Sequence, residues 1–269
     1  YKKRKNIIGG EYMARRIVVT SGKGGAGKTT VTANLGFRLT CLGARVLMAD
    51  ADFGLNNLDV LMEADGGAPF DLGDVLSGKC RPKQALIGVS ASPNLYLLPP
   101  KRTGGDSVGV YDFKRVISDL SPNFDFILID CPAGIGEPFL RAISAADEAL
   151  VVVNPHVFSL RDADKVIAVL KSYGVEKTDV VVNKMRGDLV LSGDMFSAEE
   201  IESALNSPVL GVIPEDDEIL NGIVYSSRAA RAFKCLADSV KNGGIKTPDY
   251  LRPYKGFFGS IKRELKGRL

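Results

Sequence analysis

Gly22, Gly27, Lys28 and Thr29 stand at the spacing G-x-x-x-x-G-K-T within RIVVTSGKGGAGKTT, residues 16–30. These residue types in this order are the ones that hold a phosphate chain. Glycines let successive backbone N–H groups turn inward, and a helix that follows offers the positive end of its dipole to an anion. Lys28 is then placed to reach β- and γ-phosphates, and the Thr29 hydroxyl to sit on Mg²⁺. The predicted nucleotide-binding loop comprises Gly22, Lys23, Gly24, Gly25, Ala26, Gly27, Lys28, Thr29 and Thr30. Lys23 adds a second cation. Its side chain does not fold back easily beside Lys28, so it points to a nucleotide held by a second subunit.

Such a loop needs a strand before it and a helix after it. Ile17, Val18 and Val19 supply the strand, and residues 28–42 the helix, with Val31, Leu35 and Leu39 on one face and Gly43 ending it. ARVLMAD (44–50) predicts a buried strand that runs into the acidic stretch DADFGLNNLD, residues 50–59. FDFILIDCPAGIG (124–136) places four apolar residues before Asp130, whose carboxylate is suited to hold Mg²⁺ through water. Pro132, Ala133 and Gly134 follow, in a segment able to respond to a γ-phosphate. Further strands are predicted at 94–100, 148–154, 178–184 and 208–216, and helices at 71–78, 112–120, 159–174, 197–205 and 228–242. In the helix at 112–120, Phe113, Val116, Ile117 and Leu120 form a core face. Roughly seven strands alternating with helices predict an α/β fold, a mostly parallel central sheet covered by helices on both faces. Ligands of such sheets bind at the carboxyl ends of the strands, where these acids lie.

The 269 residues, 45% hydrophobic and 25% charged, suit one α/β domain, assigned to residues 13–242. No apolar run reaches the length of a transmembrane helix, and no signal-peptide pattern begins the sequence. Cys41, Cys80, Cys131 and Cys235 are far apart and lack C-x-x-C spacing, as expected of buried or free thiols in a reducing cytosol. Cys131 has no histidine base near it and reads as a packing residue. His156 is the single histidine, which leaves a Ser–His–Asp triad or a multi-histidine zinc site close to excluded. Residues 1–12 precede Met13 and are expected to be a disordered extension. The net charge of +3 is uneven: residues 252–269 carry six basic residues and one acid. Residues 243–254 read as a linker, and 255–269 as an amphipathic helix. Phe257, Phe258, Ile261 and Leu265 fall within an arc of about 120° on a helix, with Lys262 and Lys266 beside them. A helix of this kind lies in a membrane interface, aromatics inserted and cations on lipid phosphates. One copy would bind weakly, and two copies on a dimer gain avidity of roughly 10² or more.

GKGGAGKTT resembles the deviant Walker A motif of the MinD/ParA family of ATPases, which form nucleotide sandwich dimers. DADFGLNNLD and DCPAGI resemble the switch I and switch II segments of the MinD branch, although that branch often has Glu where Gly136 stands here. The resemblance implies ATP and Mg²⁺ as cofactors and ATP hydrolysis as the reaction. Lys23, Lys28 and Asp52 are the implied catalytic residues, Lys23 contacting the partner's phosphates and Asp52 orienting the attacking water. Thr29, Asp50 and Asp130 are the implied metal ligands, and Asn57 lies near the active site. Asn183, with Lys184 behind it, reads adenine, and Pro214, Glu215 and Asp216 close over the base. Arg161, Asp162 and Asp164 are read as crowding the first turn of their helix, where acids suit its dipole. They also resemble the element that docks the regulators MinC and MinE.

The tail resembles the family's membrane-targeting sequence. The implied protein is therefore cytoplasmic and peripheral on the inner face of the cell membrane, a homodimer on ATP. It recruits a MinC-like division inhibitor to place the septum and, where one exists, meets a MinE-like activator. A flagellar-number regulator of the same family is an alternative, as is a ParA-type DNA partition ATPase. The apolar stripe speaks against DNA, because non-specific DNA binding asks for cations without it, and no nucleic acid is expected. A nitrogenase-reductase-like iron–sulfur protein would need cluster-ligating cysteines, which are missing.

Overall fold

In the computed structural model, residues 6–8, 11–53, 57–64, 69–101 and 108–255 are described. The chain opens with two short strands, β1 (Asn6–Ile8) and β2 (Glu11–Met13), then β3 (Arg15–Thr20) and helix α1 (Lys28–Cys41). Next come β4 (Val46–Asp50), α2 (Asn57–Leu61), α3 (Leu72–Leu76), β5 (Ile87–Gly88) and β6 (Leu95–Leu98). The alternation continues through α4 (Val110–Leu120), β7 (Phe126–Asp130), α5 (Glu137–Ser144), β8 (Glu148–Val153) and α6 (Val157–Ser172). It is completed by β9 (Lys177–Met185), α7 (Gly187–Ser192), α8 (Ala198–Leu205), β10 (Val209–Pro214) and α9 (Arg228–Asn242).

Strands β3 to β10 form one sheet in the order β10-β9-β8-β3-β7-β4-β6-β5, parallel throughout except for the β5–β6 edge pair. The near-continuous apolar runs of these strands follow from burial on both faces. Side chains alternate between the two faces. Val18, Ile127, Ile129 and Val151 pack with α4, α5, α6 and α8, whereas Ile17, Val19, Leu128 and Val152 pack with α1 and α9. The predicted mostly parallel sheet with helices on both faces is what the chain forms. The four apolar residues assigned to the core face of α4 are all buried. Strand register then fixes the chemistry. Val19 of β3 and Asp50 of β4 both pair with Asp130 of β7, so the loop after β3 and the two carboxylates meet at one end of the sheet.

Several details depart from the sequence reading, which named no helix at α2, α5 or α7. The expected disordered extension contains an antiparallel pair, with Asn6 opposite Met13 and Ile8 opposite Glu11. β-Branched and aromatic residues on either side of Gly9-Gly10 carry the pattern of a hairpin, and the neighbouring cations had masked it. Strand β5 is only two residues long, too short to leave a periodic signal. Helix α6 starts at Val157, earlier than predicted, because His156 caps it: the Ser159 N–H donates to His156 Nδ1 at 3.2 Å. Arg161, Asp162 and Asp164 therefore sit in the second turn, and the dipole reason given for the acids does not apply. Finally, residues 243–254 have little regular structure but lie against the body. Tyr250 Oη accepts from the Ala198 N–H at 3.2 Å, and Tyr254 is buried against Gly187. Two tyrosine rings with apolar faces to cover outweigh the glycine pair that suggested a free linker.

At the opposite end of the sheet, Arg15 Nε and Nη2 donate to the two Glu148 oxygens at 2.7 and 2.6 Å, and Lys177 pairs with the same carboxylate. Burial pushes the Glu148 carboxyl up, but these hydrogen bonds and charges outweigh it and hold the group below its ordinary value of 4.5. A carboxylate lowered in this way adds stability that is present above the unfolded-state value and lost as pH falls through the folded one. Glu148→Gln is expected to lower stability at pH 7 by about 2 kcal/mol. In urea titrations the gap to the wild type should close as pH drops below 4.5.

Candidate nucleotide site

At the carboxyl ends of the strands lies a cleft of about 840 Å³. Six separate stretches of chain supply its walls, Val60 and Leu61 of α2 among them. Gly24, Gly25, Gly27, Lys28, Thr29 and Thr30 come from the loop, Asp50 and Asp52 from the end of β4, and Asp130, Pro132 and Ala133 from the end of β7. Asn183 and Lys184 close it from β9, and Pro214, Glu215 and Asp216 from β10. Ala26 is buried beneath the loop. Lys23 is exposed and does not line the cleft. Asn57 opens α2, and Gly134 turns the chain at φ +89°. The membrane residues Phe257, Phe258, Ile261, Lys262, Leu265 and Lys266 lie outside the described residues.

The loop is gripped from two sides. Gly27 caps α1 at φ +96°, and a β-carbon there would stand 2.2 Å from Asn183 Nδ2. Only glycine allows both the turn and the contact. Asn183 Nδ2 donates to the Ala26 carbonyl at 2.9 Å, and Lys184 Nζ to the Gly25 carbonyl at 3.2 Å. Lys184 adopts φ +56°, a left-handed conformation costing on the order of 1 kcal/mol, kept here where it serves the site. On the other side a β-carbon at Gly22 would lie 2.5 Å from Asp162, so α6 abuts the entry to the loop at backbone distance.

Two site residues escaped the sequence. Ser21 Oγ accepts from Lys28 Nζ at 3.2 Å and donates to the Lys23 carbonyl at 2.7 Å, so it steadies both lysines. Thr32 Oγ1 approaches Asp130 Oδ1 at 3.3 Å. A hydroxyl residue just before the first glycine, and another one turn into α1, were the available signals.

Asp50 and Asp130 are 2% and 4% exposed and sit opposite one another in the β4–β7 register. Burial raises both carboxyls above the ordinary carboxylate range. At Asp50 the neighbouring Asp130 charge adds to this; at Asp130 the hydroxyls of Thr29 and Thr32 and the charge of Lys28 oppose it. Two desolvated carboxylates with a hydroxyl beside them form a hard oxygen donor set of the kind Mg²⁺ takes. Among the described residues no cluster of three or more His, Cys, Asp or Glu could hold a metal alone. Mg²⁺ takes one or two carboxylates and completes its shell with water and phosphate. Burial pushes the Cys131 thiol up to about 12, so it packs and does not act as a nucleophile. At the far end of the cleft, Asp216 Oδ1 and Oδ2 accept from the Glu218 and Ala229 N–H groups at 3.2 and 3.1 Å. Burial works against ionisation there, but these hydrogen bonds hold the Asp216 carboxyl below its usual value.

A parallel sheet, a glycine loop on a helix start and acids at two neighbouring strand ends define a P-loop nucleotide-binding protein. Residues 17–224 match the CobQ/CobB/MinD/ParA nucleotide binding domain. The septum site-determining protein MinD of Thermotoga maritima is 37% identical over 262 residues, covering 93% of this chain and 97% of that protein. Among solved structures, the MinC:MinD cell division protein complex of Aquifex aeolicus has a TM-score of 0.80 at 37% identity, covering 88% of this chain and 99% of that one. MinD of Pyrococcus horikoshii OT3, complexed with Mg-ADP, has a TM-score of 0.75 at 34% identity, covering 85% and 96%. The chain belongs to the MinD family of septum site-determining cell-division proteins, within the CobQ/CobB/MinD/ParA nucleotide-binding group.

Asp130→Asn removes one of the two mutually repelling charges. The variant is expected to melt no lower than the wild type without nucleotide. In titrations with a fluorescent ADP, Mg²⁺ is expected to tighten binding to the wild type and to leave binding to the variant unchanged.

Proposed function

We propose that this chain is an Mg²⁺-dependent ATP hydrolase that switches between a monomer with ADP and a membrane-bound homodimer with ATP. The observation that carries the reading is the cleft: Lys28, Thr29, Asp50, Asp52 and Asp130 converge there while Lys23 stands outside it. Lys28 and Thr29 take the phosphates, and Asp130, Asp50 and Thr29 hold Mg²⁺. Held there, Mg²⁺ would offset the negative charge that develops during phosphoryl transfer. Asp52 orients the attacking water. Asn183 and Lys184, released from the loop carbonyls, take the base together with residues 214–216. Lys23 crosses to the partner's phosphates, so hydrolysis requires the dimer.

Membrane attachment is assigned to residues 255–269, on the composition of that segment. Among the described residues no helix is long and apolar enough to cross a membrane. A MinC-like inhibitor is the proposed partner, since the Aquifex aeolicus neighbour is a MinC:MinD complex. Its docking site is assigned to Arg161, Asp162 and Asp164 of α6, of which Arg161 and Asp164 are exposed.

Sedimentation with anionic liposomes tests the switch. The full chain is expected to pellet in ATP and stay in solution in ADP, and a chain ending at Tyr254 to stay in solution in both. ATP-dependent retention on DNA without pelleting would move the protein to the partition class. Lys23→Ala is expected to bind ADP normally, yet to remain monomeric in ATP by light scattering and to hydrolyse at least about tenfold more slowly.

A further inference from the structure

Arg141 is a fully buried side chain, 0% exposed, on α5, the helix that begins directly after the segment 131–136. Arginine is seldom buried to this degree, because removing its charge from water is costly. Its contacts run away from its own helix. Nε donates to the Val108 carbonyl at 2.9 Å, and Nη1 reaches the Ala51 carbonyl at 3.5 Å. The guanidinium carbon lies 4.4 Å from the centroid of the Phe53 ring, and that ring meets Phe113 of α4 edge to face, with 6.2 Å between centroids.

Ala51 and Phe53 alternate with Asp50 and Asp52. The Ala51 N–H donates to the Asp130 carbonyl at 2.9 Å, and the Asp52 N–H to Asp50 Oδ1 at 2.8 Å. One guanidinium thus joins the helix behind the β7 loop to the backbone and ring that fix the β4 loop. Its planar fork and its face are used together, which a lysine cannot reproduce.

We propose that Arg141 is a positioning residue for hydrolysis. It transmits the disposition of α5, set by residues 131–136 at the γ-phosphate end of the cleft, to residues 51–53, and so holds Asp52 in line for the attacking water. The inference rests on the ATPase reading and adds to it a coupling between the two switch segments. It concerns rate, because the hydrogen bonds and ring contact that define Arg141 involve neither the phosphate loop nor the base end of the cleft.

The test uses the full chain with Mg²⁺ and compares wild type, Arg141→Met, Arg141→Lys and Phe53→Leu. Single-turnover ATP hydrolysis, equilibrium binding of fluorescent ADP and hydrogen exchange at residues 50–53 with a non-hydrolysable ATP analogue are measured. Arg141→Met should hydrolyse about tenfold more slowly or worse, with ADP affinity within about twofold of wild type. Arg141→Lys should not restore the rate, and Phe53→Leu should slow it about threefold. In each variant the analogue should lose its protection of residues 50–53 while α1 stays protected. Wild-type rate and protection in Arg141→Met overturn the proposal. If Arg141→Met does not fold, Phe53→Leu decides by the same measures, since it leaves the cation and most of the apolar bulk in place. A wild type that binds Mg-ADP yet does not hydrolyse ATP sinks the ATPase reading. The exchange data then judge the coupling alone: loss of protection in Phe53→Leu supports it, and unchanged protection overturns it.

Discussion

Two carboxylates at the ends of adjacent strands, Asp50 on β4 and Asp130 on β7, are the constraint on which this molecule turns. They are paired in register, buried, and of like charge. Desolvation and mutual repulsion both disfavour their ionised forms. The surroundings offset this only in part, with Lys28 and the Thr29 and Thr32 hydroxyls toward Asp130 and the Asp52 N–H toward Asp50. A slip of one residue between β4 and β7 would turn one of the two carboxylates to the wrong face and part the pair, since strand side chains alternate with period two. The dry apolar packing on both faces of the sheet specifies that register. The core is therefore what makes the site electrostatically unfinished without a cation and phosphates. The same burial that disfavours the two charges would strengthen their attraction for an ion, because attraction rises as the dielectric falls.

Much of this could be read from the residues in order. A strand buried on both faces leaves an unbroken apolar run, a helix against a sheet leaves a 3.6-residue stripe, and a phosphate loop leaves glycines at fixed spacing. Each is a local pattern, so the α/β alternation, the core face of α4 and the composition of the cleft walls were legible. What escaped depends on juxtaposition. The roles of Ser21 and Thr32 exist only because Lys28 and Asp130 come to them in space. The acids of α6 were misplaced because histidine is not among the favoured N-cap residues, so the cap at His156 left no signature. The hairpin before β3 was hidden by composition, because a run of cations reads as solvated chain whatever alternates beside it.

Asn183 shows how one residue can satisfy two demands. Its side chain is buried, and the amide donates to the Ala26 carbonyl. The sequence reading assigned that amide to a base. Both are compatible with a loop that must be kept in shape before a nucleotide arrives, because an unpaired buried amide would itself be costly. Lys184, held at positive φ, performs the parallel task on Gly25.

The docked segment 243–254 links this cleft to the tail beyond it. Tyr254 lies against Gly187, just beyond the carboxyl end of β9, and Arg228 Nη1 donates to Tyr254 Oη at 3.4 Å. Arg228 opens α9, whose next N–H, that of Ala229, is held by Asp216 at the far end of the cleft. Tyr254 and the Asp216 end of the cleft are thus joined through Arg228 and Ala229 at the start of α9. Avidity between two weak anchors depends on their being delivered together to one surface, and it falls off as the tether lengthens and loosens. A free linker would scatter the two tails of the proposed dimer. With 243–254 docked through Tyr250 and Tyr254, the orientation of the proposed dimer would also fix where the two proposed anchors begin.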